Sequence, residues 1–430
     1  MVYGDLSTSF DAIGIGVGPF NLSVAALLDA VPEVRALFLE RSERFRWHPG
    51  LMLPDAVIQV PFFKDLVTPV DPTSSFSFLS FLKDKRRLYR YMTARFPSTA
   101  RVELEEYFEW ACRRLESVQF GTNVESVDLA EGGFEVTAGA RRLRARHLVL
   151  GSGRIPRIDE RWRGLIGDRV FHGSELLLRD PDVAGKRIAV IGGGQSGAEV
   201  FHHLISRPGA APAAVLWISR RTSFLPLDDS PFVNEWFFPQ YSDHFYGLPP
   251  PRRAALLRSQ ALASDGISTS LLERIYQRLY LLDLHGPRRY RLLPGHHLSA
   301  LRDGGAQLQL ELESLDDGRA ACVEADCVIL CTGYEYRLPP YLDRLRHRIS
   351  IEDGGLPVRP DFSLIWDGPP RHRIFVQNAA RQLRGVAEPN LSLMAWRGAV
   401  IANSIIGRPR FDVDHEAAAI EWPRQSSAKG

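Results

Sequence analysis

The sequence predicts an α/β fold: two dinucleotide-binding units on parallel sheets, with a smaller helical insert. Three observations lead there. Two glycine fingerprints, Gly14-Ile15-Gly16-Val17-Gly18-Pro19 and Gly192-Gly193-Gly194-Gln195-Ser196-Gly197, stand nearly 180 residues apart, each between an apolar run and a helical pattern. Two apolar strands end in near-identical turns, His147-Leu148-Val149-Leu150-Gly151-Ser152-Gly153 and Cys327-Val328-Ile329-Leu330-Cys331-Thr332-Gly333. Between Pro231 and Tyr280 the pattern changes to aromatics and then to helical periodicity.

Taken in order, Phe10 to Ile13 reads as a strand, Asn21 to Asp29 as a helix and Ala36 to Glu40 as a second strand, a βαβ unit. The pattern returns as strand Arg187 to Ile191, helix Ala198 to Ile205 and strand Ala214 to Ser219. Glycine is needed at each strand-to-helix turn because the backbone must approach a pyrophosphate with no Cβ in the way. The helix N-terminus there offers free N–H groups and a positive dipole end. Both units are therefore Rossmann-like, and two bound dinucleotides imply electrons passing from one to the other.

The repeated strand-end turns connect the units, because the chain leaves the first, builds the second and returns. The expected division is 1–165 with 330–430 for the first unit, 166–235 with 286–329 for the second, and 236–285 for the insert. In the insert Leu271, Leu272, Ile275, Tyr276 and Leu279 share a helical face. Gly247 to Pro251 and Asp353 to Pro360 read as surface connections, and Gln425 to Gly430 as a disordered end.

Composition bounds the function. At 430 residues and 45% hydrophobic content the chain exceeds the roughly 250 to 300 residues of one core, so two or three domains are expected. Lys plus Arg is 53 against 51 for Asp plus Glu, and the net charge of +2 gives no reason to invoke nucleic acid or a membrane surface. The expected partner is a small molecule, a homo-oligomer being compatible with this. No apolar run approaches the ~18 residues of a membrane span, nothing at the N-terminus reads as a signal peptide, and a cytoplasmic location is expected. Cys112, Cys322, Cys327 and Cys331 form no Cys-x-x-Cys pair and have no histidine at ligand spacing, so no metal or redox dithiol is expected.

The two units differ in their ribose readers. Glu40 lies 26 residues after Gly14, at the end of a strand, where a carboxylate accepts hydrogen bonds from ribose hydroxyls, as suits FAD. The matching place in the second unit is Ser219-Arg220-Arg221, and a guanidinium there can fork onto a 2′-phosphate, which points to NADPH. Paired arginines at a strand end are otherwise an ordinary solvated surface.

Pro19 replaces the usual third glycine and is followed by Phe20-Asn21-Leu22-Ser23. With Trp47-His48-Pro49-Gly50, Gln59, Phe63-Lys64-Asp65-Leu66, Asp229 to Glu235, Thr332-Gly333-Tyr334 and Ala387 to Ser392, the sequence resembles the microbial N-hydroxylating flavin monooxygenases. These hydroxylate the side-chain amine of lysine or ornithine, or one end of a diamine, in siderophore biosynthesis. The resemblance implies that NADPH reduces FAD, oxygen adds at the flavin C4a position, and the resulting hydroperoxide is attacked by a neutral amine in a site that excludes water.

It also implies roles. Gln59 would lie near the flavin ring, Lys64 and Asn234 at the amino-acid end of the substrate, and Ser392 near both substrate and flavin; these are the candidate catalytic residues. Asp265 joins Lys64, Asn234 and Ser392 as a candidate substrate contact. FAD would be held by Gly14, Gly16, Gly18, Pro19, Glu40, Trp47, His48, Gln59, Thr332 and Gly333. NADPH would be held by Gly192, Gly194, Gln195, Ser196, Gly197, Arg220 and Arg221. Lys64 reads alternatively as a surface cation, Asn234 as a cap for the following segment, and His48 as a structural histidine.

Two departures stand out. Many family members have His-Gly where this chain has Arg384-Gly385, and Ala263-Ser264-Asp265-Gly266-Ile267 replaces the Asn-Thr-Asn-Tyr segment of ornithine hydroxylases, as in the lysine and diamine branch. Lysine is ranked first as substrate, a diamine such as cadaverine or putrescine second and ornithine third. A Baeyer-Villiger or sulfide-type flavin monooxygenase, or a flavin-binding sensor without turnover, is the more distant alternative.

Overall fold

A computed structural model describes residues 9–207, 209, 211–351, 355–414 and 416–423; the end from Gln425 to Gly430 and part of Asp353 to Pro360 lie outside them. The strand Ser9–Ile15 pairs in parallel with Ala36–Leu39 on one side and Arg141–Leu150 on the other. Ile374–Val376 adds to Arg141–Leu150, also in parallel, so segments far apart in the chain share one sheet. An antiparallel extension, Gly133–Ala138 and Ser126–Ala130, completes that edge. The second sheet is wholly parallel, in the order Tyr290–Leu293, Ala214–Ile218, Arg187–Ile191, Cys327–Leu330, Val170–His172. Such strands are covered on both faces, which is why Arg187–Ile191 and Cys327–Leu330 read as apolar runs rather than alternations.

The helices begin earlier than the apolar pattern alone indicates. The first spans Pro19–Leu28, because proline at the first helical position has its φ pre-set and lacks only an N–H that would be unpaired anyway. All of its residues are buried, and it packs on Met394–Ile406, where a Cβ on Gly398 would come within 2.7 Å of Ser23 Oγ. The helix after the second fingerprint spans Gln195–Ser206.

The helix Thr269–His285 buries Leu271, Ile275 and Leu279 in one core with Phe201 and Leu204 of that second helix. Tyr276, expected on the same face, is 77% exposed. It stands with exposed Tyr280 one residue round the helix from that core, whereas Leu272 is half-buried and packs against the core as expected. Among the described residues no helix is long and apolar enough to cross a membrane, and no cluster of His, Cys, Asp and Glu could hold a metal.

Candidate active site

The first glycine turn is built for close approach. Gly16 has φ +87°, and a Cβ on it would lie 2.6 Å from the carbonyl of Gly151, so the fingerprint rests directly on the repeated strand-end turn. Buried Asn21 joins the two, its Nδ2 donating to the carbonyls of Gly16 (2.9 Å) and Val149 (3.1 Å). Its Oδ1 is buried without a partner among the described residues. Gly18 caps the Pro19–Leu28 helix with no side chain over the free N–H groups, and a Cβ there would meet nothing closer than 3.8 Å. Glu40 stands beside the turn, accepting from Val17 N and Ser42 N at 2.9 Å each. An open helix N-terminus, a glycine cradle and a carboxylate at its edge fit a dinucleotide whose pyrophosphate meets the backbone and whose ribose meets Glu40.

The second turn repeats the design. A Cβ on Gly192 would lie 2.1 Å from the carbonyl of Cys331, and one on Gly197 would lie 2.1 Å from the carbonyl of Gly192. Trp217 Nε1 donates to the Gly192 carbonyl at 2.8 Å, and Gly194 caps the helix without a side-chain bond. The paired arginines separate here. Arg221 is half-buried and reaches back to the turn, its Nη1 donating to the Gly193 carbonyl at 3.0 Å, whereas Arg220 is exposed.

A cavity of about 250 Å³ has Trp47, His48 and Gln59 in its wall together with Ser196 of the second fingerprint and Tyr334 beside Gly333. Gln59 Nε2 donates to Gln195 Oε1 (3.3 Å) and Ser268 Oγ (3.1 Å), so it ties the cavity wall to the start of the second nucleotide helix. His48 has a left-handed backbone, φ 51°, and keeps an exposed edge in the cavity wall; the protein packed around its ring, aided by the Arg101 charge, lowers its imidazole pKa. It is therefore a neutral ring at neutral pH. Thr332 and Gly333 stand at the second strand-end turn, where the Thr332 carbonyl accepts from Arg157 Nε at 3.1 Å and Gly333 has φ +84°.

Arg101 also lines the cavity and was not legible in the sequence. Its guanidinium makes a fork onto Glu199, at 2.7 and 3.2 Å, and a further bond of 2.9 Å to the Leu51 carbonyl. Both side chains are largely buried, and each sits in an ordinary helical pattern with no local signature.

The four expected substrate contacts have distinct environments. Lys64 is half-buried and has no carboxylate within ion-pair distance among the described residues; burial pushes its ammonium down to about 8. Its loop is held by Asp65, which accepts from Val67 N (2.9 Å), Thr68 N (2.7 Å), Thr68 Oγ1 (2.7 Å) and Phe78 N (2.6 Å). Asn234 is exposed and caps nothing after it; its Nδ2 donates back to the Asp229 carbonyl at 2.8 Å. Ser392 is buried and gives its hydroxyl to Asn390 Oδ1 at 2.7 Å, Asn390 being in the cavity wall. Asp265 is engaged by Arg381 Nη2 at 3.4 Å and by Ser264 Oγ at 2.9 Å.

Arg384, the departure from the usual histidine, is not a cavity residue. It is 1% exposed, bonds Asp243 Oδ1 at 2.5 Å and the Pro360 carbonyl, and lies 4.4 Å from the ring centroids of both Tyr246 and Phe362. It ties the helix Pro239–Tyr246 to the loop of Pro360 and Phe362.

Comparison with known proteins gives these geometries a context. Residues 8–336 match the model of the L-lysine 6-monooxygenase/L-ornithine 5-monooxygenase family. The chain is 40% identical over 423 residues to the L-lysine N6-monooxygenase of Escherichia coli, covering 97% of this chain and 99% of that one. Among solved structures, the cadaverine monooxygenase of the desferrioxamine pathway from Erwinia amylovora, bound to FAD, superposes with a TM-score of 0.91 at 32% identity, covering 97% and 99% of the two chains. The ornithine N-hydroxylase of Kutzneria sp. 744, with reduced FAD, NADP+ and L-ornithine, gives 0.85 at 27% identity, covering 93% and 99%. Two glycine cradles, a cavity with Ser196 of the second in its wall and a match along nearly the whole length lead to one conclusion: the chain belongs to the L-lysine 6-monooxygenase/L-ornithine 5-monooxygenase family.

Proposed function

We propose that this flavin-dependent amine N-monooxygenase hydroxylates the side-chain amine of L-lysine, with FAD and NADPH as cofactors, in hydroxamate siderophore biosynthesis. The observation that carries the lysine reading is Lys64, a half-buried ammonium with no carboxylate facing it among the described residues. An amino-acid substrate brings that carboxylate and a diamine does not. The 40% identity to a lysine enzyme supports the same choice.

When bound, the reduced flavin activates oxygen and supplies one of its atoms to the amine. The protein binds, orients and dries the site. Gly14, Gly16, Gly18 and Pro19 would seat the FAD pyrophosphate and Glu40 its ribose. Gly192, Gly194, Gly197 and the N-terminus of the Gln195–Ser206 helix would seat NADPH, with Arg221 and Arg220 at the 2′-phosphate. Lys64 and Asn234 would hold the amino-acid end of the substrate, leaving the side-chain amine to reach the cavity of Gln59 and Asn390. The amine must be neutral to act as nucleophile, and a partly buried site favours that form although the free amine has a pKa of ~10.4.

A diamine is the second reading, favoured by the TM-score of 0.91 to a cadaverine monooxygenase. Lysine, cadaverine, putrescine and ornithine are to be compared by hydroxylated product formed, since NADPH oxidation alone also reports peroxide release. Lysine is expected to have the highest kcat/KM, with ornithine, one methylene shorter, down by about 10- to 200-fold. Cadaverine or putrescine matching lysine would transfer the assignment to the diamine branch.

A further inference from the structure

Asn234 stands on a turn that cannot hold itself in place. The helix Pro231–Asn234 has four residues, none of them buried, and no side-chain cap. A single isolated turn of helix is unstable in water, because nucleation orders several residues for one hydrogen bond. Val233 packs against the core, and the residue after the turn adds a polar anchor. Glu235 is 8% exposed, and its carboxylate is occupied by the backbone of the far C-terminal segment: Oε1 accepts from Ala419 N at 2.9 Å and Oε2 from Ile420 N at 2.8 Å.

That segment ties the insert to the flavin-side core at both ends. It leaves the Met394–Ile406 helix through Asn403, whose Oδ1 accepts from Phe411 N at 2.9 Å and whose Nδ2 donates to the Phe411 carbonyl at 2.8 Å. Trp396 Nε1 donates to the Val413 carbonyl at 3.3 Å. Farther on, Trp422 packs edge-on against Tyr241, 4.6 Å between ring centroids, and the Pro423 carbonyl lies 3.2 Å from His244 Nδ1, both on the helix Pro239–Tyr246. The contact to Glu235 thus lies between an anchor on the first unit and an anchor on the insert.

We propose that Glu235 is a positioning residue for amine hydroxylation: by gripping the C-terminal segment through two backbone N–H groups it sets the place of Asn234 against the substrate. The inference rests on the reading of Asn234 as a substrate contact given above. Its charge suits the task. Two charge-assisted bonds from adjacent N–H groups fix a carboxylate in both distance and orientation, and an amide in its place can accept one of them only by turning its NH2 toward the other donor.

The test uses the full-length flavin-loaded enzyme and lysine. Glu235→Gln breaks the grip from one side and Ala419→Pro, which removes a donated N–H, from the other. Each is expected to lower kcat/KM for lysine about 10-fold and to reduce hydroxylated product per NADPH consumed, with FAD content and the rate of flavin reduction by NADPH without amine unchanged. Because both act on one contact, the double variant is expected to be no worse than the poorer single variant. Unchanged kcat/KM in both single variants, or effects that multiply in the double variant, would overturn the proposal. Should Glu235→Gln fail to retain FAD, Ala419→Pro and Trp422→Ala carry the test from the segment's own side, with the same outcomes. Asn234→Ala separates the two levels. If it leaves kcat/KM for lysine untouched, the substrate reading of Asn234 has failed; if it lowers kcat/KM while the Glu235 and segment variants do not, the positioning inference alone has failed.

Discussion

Lys64 concentrates the substrate question in one ionisable group. Burial holds its ammonium down to about 8, so in the free enzyme its charge is lost as pH rises through that value. A carboxylate-bearing substrate needs the charged form, and kcat/KM reports ionisations of the free enzyme. The profile for lysine is therefore expected to bend downward above about pH 8 relative to that for cadaverine, which has no carboxylate to lose. Parallel profiles would remove Lys64 from carboxylate recognition. Lys64→Ala is expected to keep FAD and NADPH-driven flavin reduction while hydroxylation falls by about 10²-fold, the scale of a lost positioning contact; release of flavin would instead make the lysine structural. The paired arginines are unequal in the same way. Arg221 is half-buried against the Gly193 carbonyl and Arg220 is exposed, so Arg221→Ala is expected to raise the KM for NADPH more than Arg220→Ala does. Neither should move the NADH value comparably, since charge-assisted bonds to a 2′-phosphate contribute about 1.5 to 3 kcal/mol each. Equal losses with both cofactors would misplace the phosphate.

Between elements, the Arg101–Glu199 pair joins the helix Arg101–Arg114 to the helix Gln195–Ser206 that follows the second glycine turn. Glu199 also accepts from Gln195 Nε2 at 2.9 Å, which continues to Gln59 in the cavity wall through a 3.3 Å contact. Removing one member of a buried pair strands the other charge, at about 3 to 5 kcal/mol, whereas replacing both by apolar groups of similar size is often neutral. Arg101→Met is expected to lower the denaturant midpoint clearly and to raise the KM for NADPH, and Arg101→Met with Glu199→Leu to restore most of the stability. A single variant as stable as the parent would show that the pair is not a clamp. No local motif reveals Arg101 and Glu199, because the two are 98 positions apart and nothing in either helix marks them.

For the molecule as a whole, the buried neutral His147 ties stability to pH on the acid side. His147 is 3% exposed, its Nδ1 accepts from Arg373 N at 3.2 Å, and burial, reinforced by Arg146 and Arg373, pushes it from 6.5 down to about 4. A folded pKa below the unfolded one means that the unfolded chain binds more protons in the interval between them, so the stability associated with His147 is complete above about 6.5 and is lost as pH falls through about 4. The denaturant midpoint is expected to drop between pH 6.5 and 4, and His147→Gln to flatten that slope; an unchanged slope would mean that His147 does not titrate on unfolding.

The sequence by itself determined what depends on local backbone geometry and periodicity. Glycine turns, the apolar runs of doubly covered strands, the offset of Glu40 from Gly14 and the segment around Lys64 are short-range patterns, and from them the α/β class, the two nucleotide units and the family follow. Tertiary structure decided what depends on residues far apart in the chain. Only the fold shows Asn21 joining two turns across 128 positions, Arg384 clamped at Asp243 and between Tyr246 and Phe362 instead of lining the cavity, and Tyr276 turned outward. It also unites Glu235 with a segment 184 positions away. The reason is physical: a periodic pattern records which face of an element is buried, but a single polar side chain carries no mark of the partner that folding brings to it, and burial makes finding that partner obligatory.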